Sequence, residues 1–230
     1  MTRKQTTRFG IYLKPKQPIE MAFLERLKQI NAKYTKTKNF SQYANAIEQL
    51  FEITPITKQT RQTFFYLGGF LEGEASLNLG AKKNNTSQFK VFFDPEFNIT
   101  QHINGISNLY LAMQVFQTGR IRYKSGSLAT FVYTIDNRQS LKEKVIPFYH
   151  KYVKPYGSPI KVRRVEQFQQ VLILFEEKAH LDLHRMINEM LPLWNALRMQ
   201  SNSNQTFQDI TEATVFIQTA FKNKSAIKKK

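Results

Sequence analysis

The sequence contains no cysteine. That absence excludes disulfide bonds, zinc sites built on thiolates and thiol nucleophiles, so the chain folds and reacts without them. No apolar run approaches the roughly 18 residues that a membrane-spanning helix needs. The basic segment Met1 to Lys16 lacks the apolar stretch of a secretory signal, and although it is acid-poor like a transit peptide, Pro15 and Pro18 interrupt any amphipathic helix. No internal repeat is present. Acidic residues are scarce, with 17 Asp and Glu against 34 Lys and Arg, a formal net charge of +17.

With 230 residues, 41% of them hydrophobic, the chain has enough apolar material for a real core. The positive excess points to a polyanionic partner, most economically a nucleic acid, with an anionic membrane surface as the competitor. It is spread along the chain: 11 basic against 4 acidic residues in 1–60, 16 against 9 in 61–178, and 7 against 4 in 179–230. That distribution suits an extended binding face better than one basic tail. Lys228 to Lys230 read as a solvated end.

Ile19, Phe23, Leu24, Leu27 and Ile30 share one helical face, and Ser41 is the candidate cap of a second helix carrying Ala44, Ile47, Leu50 and Phe51. Together they predict a helical N-terminal appendage over residues 1–56, broken off at Thr54-Pro55-Ile56-Thr57. Thr57 or Thr60 can cap the helix that follows. Strand alternation sets in from Ala75 to Leu79, a polar turn region covers Gly80 to Ser87, and a second strand runs from Phe89 to Thr100. Ile106, Leu109, Tyr110, Met113 and Phe116 form a helical stripe that stops at Gly119. A second hairpin joins Arg120–Lys124 to Leu128–Ile135 through Ser125-Gly126-Ser127, and Asp136 with Gln139 predicts a helix start.

The order is α-β-β-α-β-β-α within residues 57–178, an α+β core. After the connector Pro155–Pro159 comes a helix marked by Val162, Val165, Phe168, Leu172 and Phe175. Residues 179–230 read as a helical C-terminal extension with a basic tail, its stripes running from Leu183 to Leu197 and from Phe207 to Phe221, with a polar loop at 201–205. Met186, Met190 and Trp194 read as core. His180 and His184, four apart, could face a metal from one helix, yet no third ligand is near and an ordinary surface pair is the plainer reading.

One stretch runs against ordinary helix chemistry. Tyr66-Leu-Gly-Gly-Phe-Leu-Glu-Gly-Glu-Ala-Ser76 is an apolar helical run carrying Gly68, Gly69, Gly73 and Ala75, and it ends on Glu72 and Glu74. Interior glycine costs about 1 kcal/mol relative to alanine, and acids at a helix C-terminus oppose the dipole by about 0.3 to 1 kcal/mol. Small residues allow two helix backbones to approach closely. A carboxylate held at such a junction calls for a cation, and with nearby backbone carbonyls it suits a hard divalent ion such as Mg²⁺. A core helix with an acidic last turn facing water is the plainer reading of the stretch taken alone.

Residues 67–75, Leu-Gly-Gly-Phe-Leu-Glu-Gly-Glu-Ala, resemble the nine-residue signature of the LAGLIDADG homing endonucleases. Gly68 stands for the signature's first alanine, glutamates for its aspartates and Ala75 for its last glycine. Phe97–Gln101 and Gly119–Arg122 fall where that family carries strand residues. The likeness covers roughly residues 60–178, and it is strongest to single-motif members encoded in introns of chloroplast large-subunit ribosomal RNA genes. It implies an αββαββα core whose antiparallel sheet binds DNA, and an organelle, most simply the chloroplast, as the location. It also implies a metal-dependent double-strand break in a long, nearly palindromic target at the intron insertion site in a ribosomal RNA gene.

The resemblance carries Glu74 onto the metal-binding acid, with Gly73 offering its carbonyl to the same Mg²⁺ or Mn²⁺ ion. Glu72 falls on the less critical acid. Gln101 matches an active-site amide that positions water, and Lys161 is the choice for the basic residue at the scissile phosphate, with Lys154 as fallback. The arginine expected four residues beyond Gln101 is replaced by Gly105. One signature supplies one carboxylate, so cutting both strands implies a homodimer through the Leu67–Ala75 helix.

A two-stranded ribbon fits the DNA major groove, and a ten-residue strand spans about 33 Å, roughly ten base pairs. Asn78, Lys82, Asn84, Thr86 and Asn98 in the first hairpin, and Arg120, Arg122 and Lys124 on one face of the second, have the residue types that read bases or hold phosphates. The resemblance places Arg122 and Lys124 at base-contacting positions. The competing reading is a non-cleaving nucleic-acid binder on the same fold, such as an intron RNA maturase.

Overall fold

The computed structural model describes residues 11–54, 58–198 and 206–227. The expected break at Pro55–Thr57, the polar loop at 201–205, Met1–Gly10 and the Lys228–Lys230 tail lie outside the described residues. Helix α1 (Met21–Thr37) is followed by α2 (Phe40–Phe51). Asn39, rather than Ser41, caps α2: it holds the extended backbone that a cap requires and its side chain accepts the Gln42 N–H at 3.1 Å. The two helices bury Leu24, Leu27, Ile47 and Leu50, and Phe23 stands edge-on to Phe51 at 5.0 Å.

Helix α3 (Arg61–Glu74) opens on Thr60, which exchanges side-chain bonds with Thr63 in a reciprocal capping box. It runs directly into β1 (Ala75–Lys83), then β2 (Val91–His102), a 3₁₀ turn (Ile103–Gly105), α4 (Ile106–Phe116), β3 (Arg120–Tyr123), β4 (Thr130–Ile135) and α5 (residues 138–153). This is the αββαββα order read from the sequence. It continues into α6 (Pro159–Glu176), α7 (residues 183–197) and α8 (Ile210–Ile227). Several limits differ from the sequence reading. Strand β1 runs through Gly80 to Lys83, and β2 ends on His102. Helix α4 closes at Phe116, with Gln117 and Gly119 both at positive φ, and a Cβ on Gly119 would lie 2.7 Å from the Thr134 carbonyl. Asn137, not Asp136, caps α5 by accepting the Ser140 N–H at 2.9 Å.

Prolines sit inside α5 and α7, at Pro147 and Pro192, each separated by one residue from the widened π-type turn before it, Leu141–Val145 and Met186–Met190. A proline removes one donor and crowds the carbonyl four residues back, and a locally widened helix makes room for it.

The four strands form one antiparallel sheet in the order β1-β2-β4-β3. Phe97 to His102 pair with Ile135 to Thr130, and Arg120 to Tyr123 with Thr134 to Phe131. Strand β3 is therefore an edge, and α1 and α2 close it: the Ile121 N–H donates to the Tyr43 hydroxyl at 2.7 Å, and the Asn31 amide donates to the Ile121 carbonyl at 3.0 Å. An exposed strand edge is a template for stray pairing, and here side chains occupy it. Contacts group the chain into two units, Met1–Ser76 with Phe97–Gly157, and Leu77–Glu96 with Ser158–Lys230. The first is built on Leu67, Leu71, Phe97, Ile99 and Met113; the second buries Phe93, Phe168, Met186, Met190 and Trp194.

Candidate active site and nucleic-acid interface

The glycines of α3 do different things. Gly68 is buried against the chain itself: a Cβ there would stand 2.5 Å from the Tyr152 carbonyl oxygen. Gly69 and Gly73 are exposed, and a Cβ on either would meet nothing within 4 Å. Tyr66, 56% exposed, lies on the same side of the helix, so α3 presents an open strip of small residues beside one aromatic ring.

The two acids also part company. Glu72 is half-buried and turned inward, with its Oε2 beside Gly157, where a Cβ would come within 3.2 Å. Its charge adds to burial in pushing the Tyr149 hydroxyl well above the usual tyrosine range. Glu74, the last residue of α3, is exposed and has no hydrogen-bond or ion-pair partner among the described residues. Among those residues no three His, Cys, Asp or Glu side chains cluster as a metal cage. One free carboxylate beside the exposed Gly73 backbone nevertheless fits Mg²⁺, which keeps several waters and takes one or two carboxylates plus substrate phosphates.

Gln101 shares the side of β2 that carries Phe97 and Ile99, opposite Asn98 and Thr100. Its amide lies over Gly105, where a Cβ would stand 2.6 Å from Oε1, so the missing side chain at 105 is the space this amide uses. Lys161 lies in the first turn of α6, its N–H donated to the Ser158 hydroxyl at 3.3 Å, and it belongs to the second unit, whereas Glu74 and Gln101 belong to the first. Lys154, the fallback, is exposed just beyond α5.

On the sheet's other side, Asn98, Thr134 and Arg120 form one row across β2, β4 and β3, and Thr100, Val132 and Arg122 form the next. The Thr134 hydroxyl donates to Asn98 Oδ1 at 2.7 Å. Arg120 and Arg122 both reach Asp136 Oδ2, at 2.5 and 3.3 Å. Lys124 is exposed beyond β3. In the first hairpin Lys82 pairs with Asp94 at 2.6 Å, and the Asn84 side chain accepts from the Thr86 N–H at 2.8 Å, holding the turn.

Asn78 departs from its expected outward position. It is 7% exposed, and its Oδ1 accepts from Arg164 Nη2 at 2.9 Å. Arg164 also donates to the carbonyls of Leu77 at 2.8 Å and Leu197 at 2.7 Å, and burial depresses its pKa. Asn78 is thus part of a buried polar joint. His180 and His184 do not share a helix: His180 lies in a 3₁₀ turn (Ala179–Leu181), and extended Asp182 separates it from α7. His102 accepts the Asn104 N–H as a local turn bond at 3.2 Å. Sequence reasoning missed Asp136 as a counter-ion, because its short-range pattern imitates a helix start; only the β3–β4 register brings it near the arginines.

The family model described as LAGLIDADG endonuclease matches residues 67–172. The chain is 52% identical to DNA endonuclease I-CeuI of Chlamydomonas moewusii over 89% of its own length and 94% of that protein's. It also matches homing endonuclease I-ApeII of Aeropyrum pernix at 27% identity, over 47% of this chain and 61% of that one. A solved structure of the group I intron-encoded homing endonuclease I-CeuI complexed with DNA superposes with a TM-score of 0.86 at 51% identity, covering 90% of this chain and all (100%) of that one. The archaeal intron-encoded homing endonuclease I-Vdi141I complexed with DNA gives 0.60 at 26% identity, over 69% and 96% of the two chains. With a family signature, a fold and a relative of this closeness in agreement, the chain belongs to the LAGLIDADG homing endonucleases.

Proposed function

We propose that this chain is a site-specific DNA endonuclease that makes a double-strand break in a long, nearly palindromic duplex, acting as a homodimer with a divalent cation. The observation that carries the reading is Glu74: an exposed carboxylate with no partner among the described residues, closing the helix on which the family signature lies. The likeness to I-CeuI, whose solved structure is a complex with DNA, supports duplex DNA as the substrate.

In this reading the sheet face of Asn98, Arg120 and Arg122 lies along the major groove, with Lys82 and Lys124 near phosphates. The two rows across β2, β4 and β3 lie two residues apart along each strand, a spacing of about 6.7 Å that suits base pairs about two steps apart. Glu74 and the Gly73 carbonyl would hold Mg²⁺ or Mn²⁺, which when bound supplies charge at the scissile phosphate and lowers the pKa of water. Gln101, fixed over Gly105, orients a water by hydrogen bonding, and Lys161 offsets charge on the phosphate. Two copies meeting through the open Gly69–Gly73 strip of α3 would supply one carboxylate per strand. An organelle location and a ribosomal RNA gene target belong to the same reading. They rest on likeness to a Chlamydomonas moewusii protein whose solved structure is described as group I intron-encoded.

The test is cleavage of plasmids carrying intron-free ribosomal DNA by wild type and Glu74→Gln, with and without Mg²⁺, alongside gel shifts at matched salt. Metal-dependent linearisation by wild type, with binding but no cleavage by Glu74→Gln, is expected. Sequence-selective binding without cleavage by wild type would instead favour a non-cleaving binder such as a maturase.

A further inference from the structure

We propose that Asp136 is a specificity-determining residue of the second hairpin, positioning the Arg120 and Arg122 guanidinium groups for base edges and reducing their attraction to phosphates in general. The inference rests on the reading that β3 faces DNA.

Arg120 and Arg122 are two residues apart on β3 and project to one side of the sheet. Asp136 follows directly on β4, two residues past Thr134, the register partner of Arg120. Its single Oδ2 receives both Arg120 Nη2 at 2.5 Å and Arg122 Nη2 at 3.3 Å. Two like charges at this spacing repel, and left alone they would spread into solvent. One oxygen between them draws both inward and leaves the trio with a net charge of one.

Stability does not explain the arrangement. The three side chains are 29%, 48% and 36% exposed for Arg120, Arg122 and Asp136, and ion pairs this open to water contribute little to folding. Asp136 is not the helix cap either, since Asn137 fills that role. What a half-exposed carboxylate between two arginines can change is how they meet a polyanion. Bidentate recognition of guanine needs a guanidinium plane aligned with one base edge, whereas a phosphate draws a guanidinium by charge as well as by paired hydrogen bonds and is the same in every sequence. Restraint and partial neutralisation therefore weaken the indiscriminate contact more than the selective one.

The experiment compares wild type, Asp136→Asn, Asp136→Glu, Arg122→Ala, which should flatten base preference at the positions Arg122 reads, and the double variant Asp136→Asn with Arg122→Ala. Each enriches sequences from a randomised duplex library, and each is titrated by gel shift against one fixed duplex of unrelated sequence between 50 and 200 mM salt. Asp136→Asn should bind the unrelated duplex about tenfold more tightly at the lowest salt, with a log–log salt slope steeper by roughly one. It should also lose base preference at the positions that Arg122→Ala flattens. Asp136→Glu should keep the wild-type slope and most of the preference, and adding Asp136→Asn to Arg122→Ala should not flatten those positions further. Asp136→Ser, short and polar ahead of Asn137, gives the same readouts if the amide variant folds poorly. A wild-type enrichment with an unchanged profile and slope in the neutral variants overturns the proposal alone. A wild-type chain that enriches no sequence overturns the DNA-reading assignment beneath it.

Discussion

The hydroxyl of Tyr43, on α2, accepts the backbone N–H of Ile121 on the edge strand at 2.7 Å and donates a hydrogen bond to Asn31 Oδ1 at 3.1 Å. Asn31 returns a bond to the Ile121 carbonyl at 3.0 Å, so two helices satisfy both main-chain groups on the free side of that residue. Burial pushes the Tyr43 hydroxyl well above the usual tyrosine range, so it stays a neutral donor and acceptor.

Tyr43→Phe should therefore leave a buried N–H without an acceptor and cost about 1 to 3 kcal/mol of stability. The ring, stacked on Tyr34 at 4.3 Å, stays in place, which confines the loss to the polar bond. Urea unfolding gives the free-energy change, and amide exchange should show local opening at Ile121. Unchanged stability together with unchanged protection would mean that β3 does not depend on the helices for its free edge.

Arg164 is the corresponding joint of the second unit, donating to the carbonyls of Leu77 and Leu197 and to Asn78. A lysine carries the charge but not the planar fork, so Arg164→Lys should cost about 2 to 3 kcal/mol. The salt dependence of DNA binding should stay as in wild type, because this guanidinium is occupied within the protein. A reduced salt slope with normal stability would instead make Arg164 a phosphate contact.

The core order was legible in the sequence because α4 and the two hairpins carry their own periods, α3 carries the signature, and Thr60 sits one residue ahead of Arg61 as a cap should. Glu74 was legible through the signature. The resemblance also told Glu72, the less critical acid, from Glu74; helical spacing alone could not, since two acids two apart look equivalent until Gly157 is brought beside one of them. Asn78 was misread for a related reason. Strand alternation groups it with Lys82 by parity, but Arg164, 86 residues away in the sequence, encloses it. Asp136 shows the same limit, because a helix start and a strand-end counter-ion share one local pattern. Local periodicity names the residue type at each position, and only long-range packing decides what that residue touches.

Asn104 makes a testable link between the N-terminal segment and Gln101, the amide proposed to orient water. Its side chain accepts the Leu13 N–H at 2.8 Å and donates to the Leu13 carbonyl at 2.9 Å, in the short turn that separates Gln101 from α4. Asn104→Ala removes both bonds. It should lower the cleavage rate several-fold through looser placement of Gln101 while leaving DNA affinity within about twofold, since an exposed pair of this kind is worth only about 1 to 2 kcal/mol. A loss of affinity at unchanged cleavage rate would assign the strap to DNA binding instead.

The glycines of α3 separate folding from assembly. At Gly68 the nearest atom to an added Cβ is a backbone oxygen, Tyr152 O at 2.5 Å, which cannot yield without moving α5. Gly68→Ala should therefore destabilise the single chain by about 1 to 3 kcal/mol, as overpacking does. At Gly69 no atom of the chain lies within 4 Å, so Gly69→Ala should gain up to about 1 kcal/mol of helix propensity in the isolated chain. If two copies meet through this strip, that gain is opposed in the dimer, because each added side chain pushes two close backbones apart. Gly69→Leu should then sediment as a monomer with a normal unfolding transition, and lose double-strand cleavage. Sedimentation and urea unfolding on the same preparations decide the matter: a Gly69→Leu chain that still dimerises and cuts both strands would move the interface away from α3, whereas one that unfolds early would show the strip to be part of the chain's own packing.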